Sequence, residues 1–229
     1  MSGTVVLCGS LGSVSSIWDA QAGALAGRRV VRIDYPGHGD VPIAEVRQVG
    51  DLAARVLALA GDETFSFVGL SLGGAVGMQL ALSAPERLER LVLACTAARF
   101  GDPGQWRDRA ALVRVEGLAA IVDAVLARWF TPRLADTGPY RDMLLSIDPE
   151  GYARCCDALA AWDVRGALAA VRAPTLVIAG ADDPSTPPET VALIAAEISD
   201  ARFEVIEQAA HIPSVEQADV FNRLIEEHL

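Results

Sequence analysis

Gly69-Leu70-Ser71-Leu72-Gly73 sets one serine between glycines at the point where an apolar run gives way to helical spacing. A serine there can cap the helix that follows, a common task for this residue. It can also stand on a sharp strand-to-helix turn as a nucleophile, with its hydroxyl exposed for attack on a carbonyl. The residues after it favour the nucleophile. Gly73, Gly74 and Gly77 fall in the first two turns of the helix, and each interior glycine costs roughly 0.8–1 kcal/mol relative to alanine. A cap needs no such loss, whereas a turn pressed against neighbouring strands does.

A nucleophilic serine needs a base, and the chain has three histidines. His228 is next to last, and His38 lies in the turn-rich segment Asp34-Tyr35-Pro36-Gly37-His38-Gly39-Asp40. His211 directly follows the last strand-like run, which puts it at the same sheet edge as Ser71. Position therefore selects His211 and leaves His38 as a structural residue of its loop. The base needs an orienting carboxylate ahead of it in the chain. Asp182 and Asp183 offer one after the fifth strand-like run. Thr186-Pro187-Pro188-Glu189 reads as a capping box with proline in the first turn, so neither aspartate is needed as a cap. Asp183 is the choice and Asp182 the reserve.

These side chains need a scaffold that brings three loops to one edge. Residues 4–8, 29–34, 64–70, 90–95, 174–180 and 202–207 read as strands, most of them continuously apolar, as strands covered on both faces are. Residues 16–26, 46–60, 72–83, 188–198 and 215–228 carry helix spacing. The alternation predicts an α/β fold with a mostly parallel sheet of about six strands. Nearly eighty residues separate Cys95 from Pro174, where a crossover needs about a dozen. Their helical pattern, broken at Pro103, Pro132, Pro139 and Pro149, predicts a cap over the carboxyl edge of the sheet, where ligands bind in such folds. The expected division is a core of residues 1–97 and 172–229 and a helical cap of residues 98–171.

Composition narrows the function class. A formal net charge of −11 disfavours nucleic acid and anionic membrane as partners, and 52% hydrophobic residues suit a packed core. No run is long enough to span a bilayer, and the first residues lack the pattern of a signal peptide. The four cysteines follow no metal-ligand spacing, which fits reduced thiols and a cytoplasmic location. Oligomeric state is not legible.

Ser71, Asp183 and His211, in that order, together with GLSLGG, DYPGHGD, GADDPSTPP and AAHIP, resemble the α/β-hydrolase superfamily over essentially the whole chain. The resemblance implies an oxyanion hole of backbone N–H groups from Leu11 and from Leu72, just after the nucleophile. Gly9-Ser10 stands where the superfamily usually has His-Gly. It also implies that an initial antiparallel hairpin is missing, since the first strand-like run starts at Thr4. CGSLGSVSSIWDAQ, LARWFTP, GYARCCDALAAWD and GADDPSTPPE look in combination like the 3-oxoadipate enol-lactonases of the β-ketoadipate pathway of aromatic catabolism.

That closer resemblance implies a small-molecule lactone substrate bearing a carboxymethyl group and a serine acyl-enzyme, with no metal or organic cofactor. The free carboxylate calls for a cation in the cap. Arg128 and Arg133 are the candidates, with Trp129 as a wall of the pocket, although surface arginines and a packed tryptophan are the ordinary state of such residues. Two rival functions stand beside this one. One is another esterase or acyl-homoserine lactonase activity. The other is a non-catalytic ligand receptor that keeps the fold, against which the complete triad argues.

Overall fold

The computed structural model describes residues 3–229. Six strands, β1 (Thr4–Cys8), β2 (Arg29–Ile33), β3 (Phe65–Leu70), β4 (Leu88–Ala94), β5 (Thr175–Gly180) and β6 (Ala201–Ile206), form one sheet in the order β2-β1-β3-β4-β5-β6. Every adjacent pair is parallel. The order reverses beside β1: the chain steps outward to β2, then returns to β3 on the other side of β1. Ligands in open parallel sheets bind outside the carboxyl ends of strands at such a switch point.

Helices cover both faces: α1 (Asp19–Ala24), α2 (Val49–Ala60), α3 (Leu72–Ser83), α8 (Pro188–Glu197), α9 (Pro213–Glu216) and α10 (Ala218–His228). The four central strands β1, β3, β4 and β5 are buried over nearly their whole length, which accounts for their unbroken apolar sequence. The edge strands β2 and β6 keep charged residues because one side meets water. Three helix boundaries differ from the sequence expectation. The expected helix at 16–26 is a 3₁₀ turn followed by a short α1. The second helix begins only at Val49, because Gln48 and Asp51 close a capping box there. The last helical stretch splits into α9 and α10 around Gln217.

Between β4 and β5 lie α4 (Pro103–Glu116), α5 (Val122–Trp129), α6 (Gly138–Leu145) and α7 (Pro149–Ala160). Pro103, Pro139 and Pro149 fall at or beside a helix start, where the missing N–H costs nothing, and Pro132 lies in the turn after α5. Asp102 and Asp148 cap α4 and α7 through their carboxylates. Arg114 joins these two helices through Glu150 at 2.8 Å and Asp157 at 2.7 Å. Among the described residues, no helix is long and apolar enough to cross a membrane.

Candidate active site

The strand β3 delivers Ser71 into a backbone conformation that a side chain rarely adopts, with φ 58° and ψ −112°. Such strain costs of order 1–3 kcal/mol and persists only where the surroundings enforce it. Here Ser71 N–H donates to Ala94 O at 2.8 Å, and Ser71 O accepts from the Thr96 hydroxyl at 2.8 Å. A Cβ on Gly73 would collide with the Cys8 carbonyl, so the glycine lets α3 pack directly against the end of β1. The Ser71 side chain makes no capping hydrogen bond to α3. Its hydroxyl is therefore not spent on the helix, which answers the choice the sequence left open between cap and turn.

His211 and Asp183 come from the loops after β6 and β5, and the two loops touch. A Cβ on Gly180 would strike the Ala210 carbonyl, so this glycine permits the contact. His211 Nδ1 lies 2.8 Å from Asp183 Oδ2, with both residues buried. The same oxygen accepts from the Thr186 hydroxyl at 2.6 Å, and Oδ1 accepts from the N–H groups of Ser185 and Thr186. Burial alone would raise the Asp183 carboxyl. The charge of His211 and the hydrogen bonds from His211, Thr186 and Ser185 outweigh it and hold the carboxyl below its usual value. Asp183 is thus an ionised acceptor aimed at His211 Nδ1, the arrangement that leaves Nε2 facing outward.

The expected Thr186 capping box does not form. The residue before α8 is Pro187 and no side chain caps it, because the Thr186 hydroxyl turns back to Asp183. The reserve acid Asp182 points away: it pairs with Arg133 at 3.2 Å on an exposed face. His228 is half-buried against the Pro174 carbonyl, at the other end of β5.

Ser71 and His211 open onto one cavity of about 260 Å³, whose remaining walls come largely from the helices between β4 and β5. Trp129 and Arg128 line it, as do Trp106, Arg109 and Tyr152. Arg133 does not. It lies in a separate cleft with Asp182, because the chain turns outward at Pro132 and its guanidinium finds that carboxylate. This corrects the expectation that Arg133 could meet a ligand beside Ser71. Sequence reasoning missed Arg109. It is half-buried, its guanidinium lies 4.8 Å from the Trp106 ring centroid, and it has no carboxylate partner among the described residues. The one available signal was its spacing: Gln105, Trp106 and Arg109 fall on one face of α4. Burial raises the Tyr152 phenol, and the nearby Arg109 charge partly opposes this.

The N–H groups of Leu11, which lines the cavity, and of Leu72, next to Ser71, have no hydrogen-bond partner among the described residues, while those of Ser71, Gly73, Gly12 and Ser13 all do. The loop holding Leu11 is braced from beneath. Tyr35 OH donates to Gly9 O at 2.6 Å. His38 Nδ1 faces Pro36 O at 3.2 Å, so its Nε2 accepts from Gly12 N–H at 3.3 Å. Burial pushes the His38 pKa down to about 4, so the ring is neutral at pH 7, as this acceptor role requires. His38 thereby supports the loop from a position where the sequence offered only a structural role.

Cys95, Asp183 and His211 bring one possible metal-ligand atom each within 4.8 Å of one another. The Asp183 and His211 atoms are already committed to each other at 2.8 Å. Burial, with the adjacent Asp183 charge, raises the Cys95 thiol well above its ordinary range, so it sits there as a neutral group. This donor set suits a hydrogen-bonded acid–base pair beside an inert thiol.

Comparison with known proteins agrees with the fold. Residues 3–218 match the family described as the alpha/beta hydrolase fold. The chain is 37% identical to 3-oxoadipate enol-lactonase 2 of Acinetobacter baylyi over 97% of its own length and 86% of that protein. The crystal structure of the enol-lactonase from Burkholderia xenovorans superposes with a TM-score of 0.94 at 36% identity, covering 100% of this chain and 91% of that one. A malate-bound thermophilic esterase from Thermogutta terrifontis gives 0.89 at 29% identity, covering 99% and 90%. With a parallel sheet, a serine on a strained turn after β3 and an Asp–His pair beside the same cavity, this chain is an enzyme that belongs to the α/β-hydrolase family.

Proposed function

We propose that this chain hydrolyses 3-oxoadipate enol-lactone to 3-oxoadipate through an acyl-enzyme on Ser71. His211 Nε2 takes the Ser71 proton while Asp183 holds the ring by Nδ1 and stabilises the imidazolium that forms. Serine Oγ attacks the lactone carbonyl, and the Leu11 and Leu72 N–H groups receive the oxyanion. These two donors need no reorganisation, since neither is engaged elsewhere among the described residues. Collapse breaks the ring C–O bond as His211 Nε2 returns its proton to the leaving oxygen, and the resulting enol, still tethered to the acyl group, tautomerises to the ketone. His211 then deprotonates water, which attacks the acyl-enzyme and frees the second carboxylate.

The observation that carries this reading is a small cavity shared by Ser71, His211 and two arginines without carboxylate partners among the described residues. A five-membered lactone with one charged arm needs all three features, and the likeness to two enol-lactonases supports it. Arg109 is the better seat for the carboxylate. Stacking on Trp106 fixes its planar fork in advance, whereas Arg128 is exposed and must be ordered on binding.

The deciding measurement is the loss of enol-lactone ultraviolet absorbance with the carboxymethyl lactone and with the same ring lacking that arm. We expect kcat/KM to favour the carboxylated lactone roughly ten- to a hundredfold, the worth of a hydrogen-bonded charge at a half-buried site. Equal rates would replace this assignment with a general esterase, the reading favoured by the likeness to the Thermogutta enzyme.

A further inference from the structure

Glu216 lies five residues after His211 and takes no part in lining the cavity. Its carboxylate nevertheless touches both halves of the molecule that meet there. Oε1 accepts from the Thr131 N–H and from the Thr131 hydroxyl, each at 2.7 Å, and Oε2 accepts from Ala210 N–H at 2.7 Å. Thr131 follows the end of α5, which carries Trp129 into the cavity wall. Ala210 directly precedes His211. A parallel link runs from Ile212 N–H to the Trp129 carbonyl at 3.1 Å. The residues on either side of His211 are therefore both tied to the segment 129–131.

Among the described residues Glu216 has no cationic partner, so these three donors alone meet its charge. Charge-assisted bonds of this kind are roughly twice as strong as neutral ones. We propose that Glu216 is a positioning residue that holds the Trp129 wall and the imidazole of His211 in one register. The proposal rests on His211 being the general base. A base displaced by about 1 Å can lose roughly a hundredfold in rate, and the Ala210 amide controls where the His211 backbone begins. On the other side, Thr131 fixes where α5 ends, and with it the depth of the cavity at Trp129. A carboxylate that only secured a loop would not need donors from both the wall and the base.

The test uses Glu216→Gln, Thr131→Val and the double variant, with kcat and KM measured on folded protein for 4-nitrophenyl acetate and for 3-oxoadipate enol-lactone. Glutamine keeps one acceptor oxygen but presents an amide N–H2 to either Ala210 or Thr131. It should lower kcat on both substrates by roughly ten- to a hundredfold, the range for losing a hydrogen bond to a charged group. Thr131→Val removes the hydroxyl bond on the wall side and keeps the backbone one, and it should raise KM for the lactone severalfold with little change in kcat. Because the two residues share one carboxylate, the double variant should lose less than the product of the single losses. Folded Glu216→Gln with wild-type kcat and KM would overturn the proposal. So would an unchanged lactone KM in Thr131→Val, or two effects that multiply independently. If the wild type ignores the lactone while Glu216→Gln still loses kcat on the ester, the substrate reading fails and the positioning role stands.

Discussion

The sheet edge and the helices above it solve different problems with different materials. At the sheet edge, backbone sets the Ser71 turn and lets the loops meet. Ser71 is forced to φ 58° by hydrogen bonds from its own N–H and to its carbonyl, and Gly73 and Gly180 allow neighbouring backbones to touch. Between β4 and β5, side chains do the positioning: Arg109 of α4 lies on Trp106, and Arg133, in the turn after α5, reaches Asp182. In the proposed function, chemistry common to many esters sits on the first kind of support, and discrimination among substrates on the second. Substitution of Ser71, Asp183 or His211 should therefore lower turnover with every substrate, while substitution of a cavity arginine should change only the choice of substrate.

The largest effect belongs to Ser71→Ala. Loss of the nucleophile should lower kcat on the order of 10⁶-fold, as it does in serine proteases. Stability should hardly change, because the hydroxyl makes no capping bond. Turnover that survives in a variant with a depressed Tm would return Ser71 to the role of helix cap.

Next in size is Asp183→Asn, which removes the acceptor that selects the His211 tautomer. The same exchange in a serine protease lowers kcat about 10⁴-fold. Asp182→Asn should leave turnover within about twofold, since an exposed ion pair such as that with Arg133 contributes little. Similar mild losses in the two variants would mean that the acid has been misassigned.

A smaller effect, confined to the choice of substrate, is expected above the sheet. Arg109→Gln should raise KM for the carboxylated lactone roughly ten- to a hundredfold and leave the neutral lactone unaffected. Arg133→Ala should change neither. An equal loss on both lactones in Arg109→Gln would place that arginine in the chemistry rather than in recognition, and the division between the two regions would collapse.

The same division explains what the sequence could and could not disclose. Glycines at 69 and 73 are tell-tale because neighbouring backbone leaves no room for a Cβ, and Gly74 is crowded by the Thr96 side chain, so the turn at Ser71 was legible from five residues. His211 followed from its place after β6. Asp183 was preferred over Asp182 with the help of a capping box that does not exist; the Thr186 hydroxyl serves Asp183 instead. Arg109 and Arg133 look alike in sequence, and only tertiary packing separates the cavity-lining one from the one held outside. Glu216 was silent for the same reason, since both of its partners are fixed by how α5 meets the loop after β6.

His38 offers the mildest test, because it belongs to the edge but touches no reacting group. Buried and neutral, it accepts from Gly12 N–H beside the Leu11 amide. Its folded pKa of about 4 lies below the ordinary value of 6.5. Between those values the unfolded chain binds a proton that the folded chain refuses. Stability from this group is therefore complete above pH 6.5 and is lost progressively as the pH falls toward 4, by about 3 kcal/mol over the window. Asp183 acts in the same direction at lower pH, below the ordinary carboxylate value, so the two windows are separable. Urea unfolding at pH 7, 5.5 and 4.5 should show the wild type losing stability faster than His38→Gln. The variant should be the less stable protein at pH 7 and should approach the wild type as the pH falls. Parallel losses in both proteins would show that the ring is not held neutral against Gly12, and that the loop carrying Leu11 is supported by Tyr35 alone.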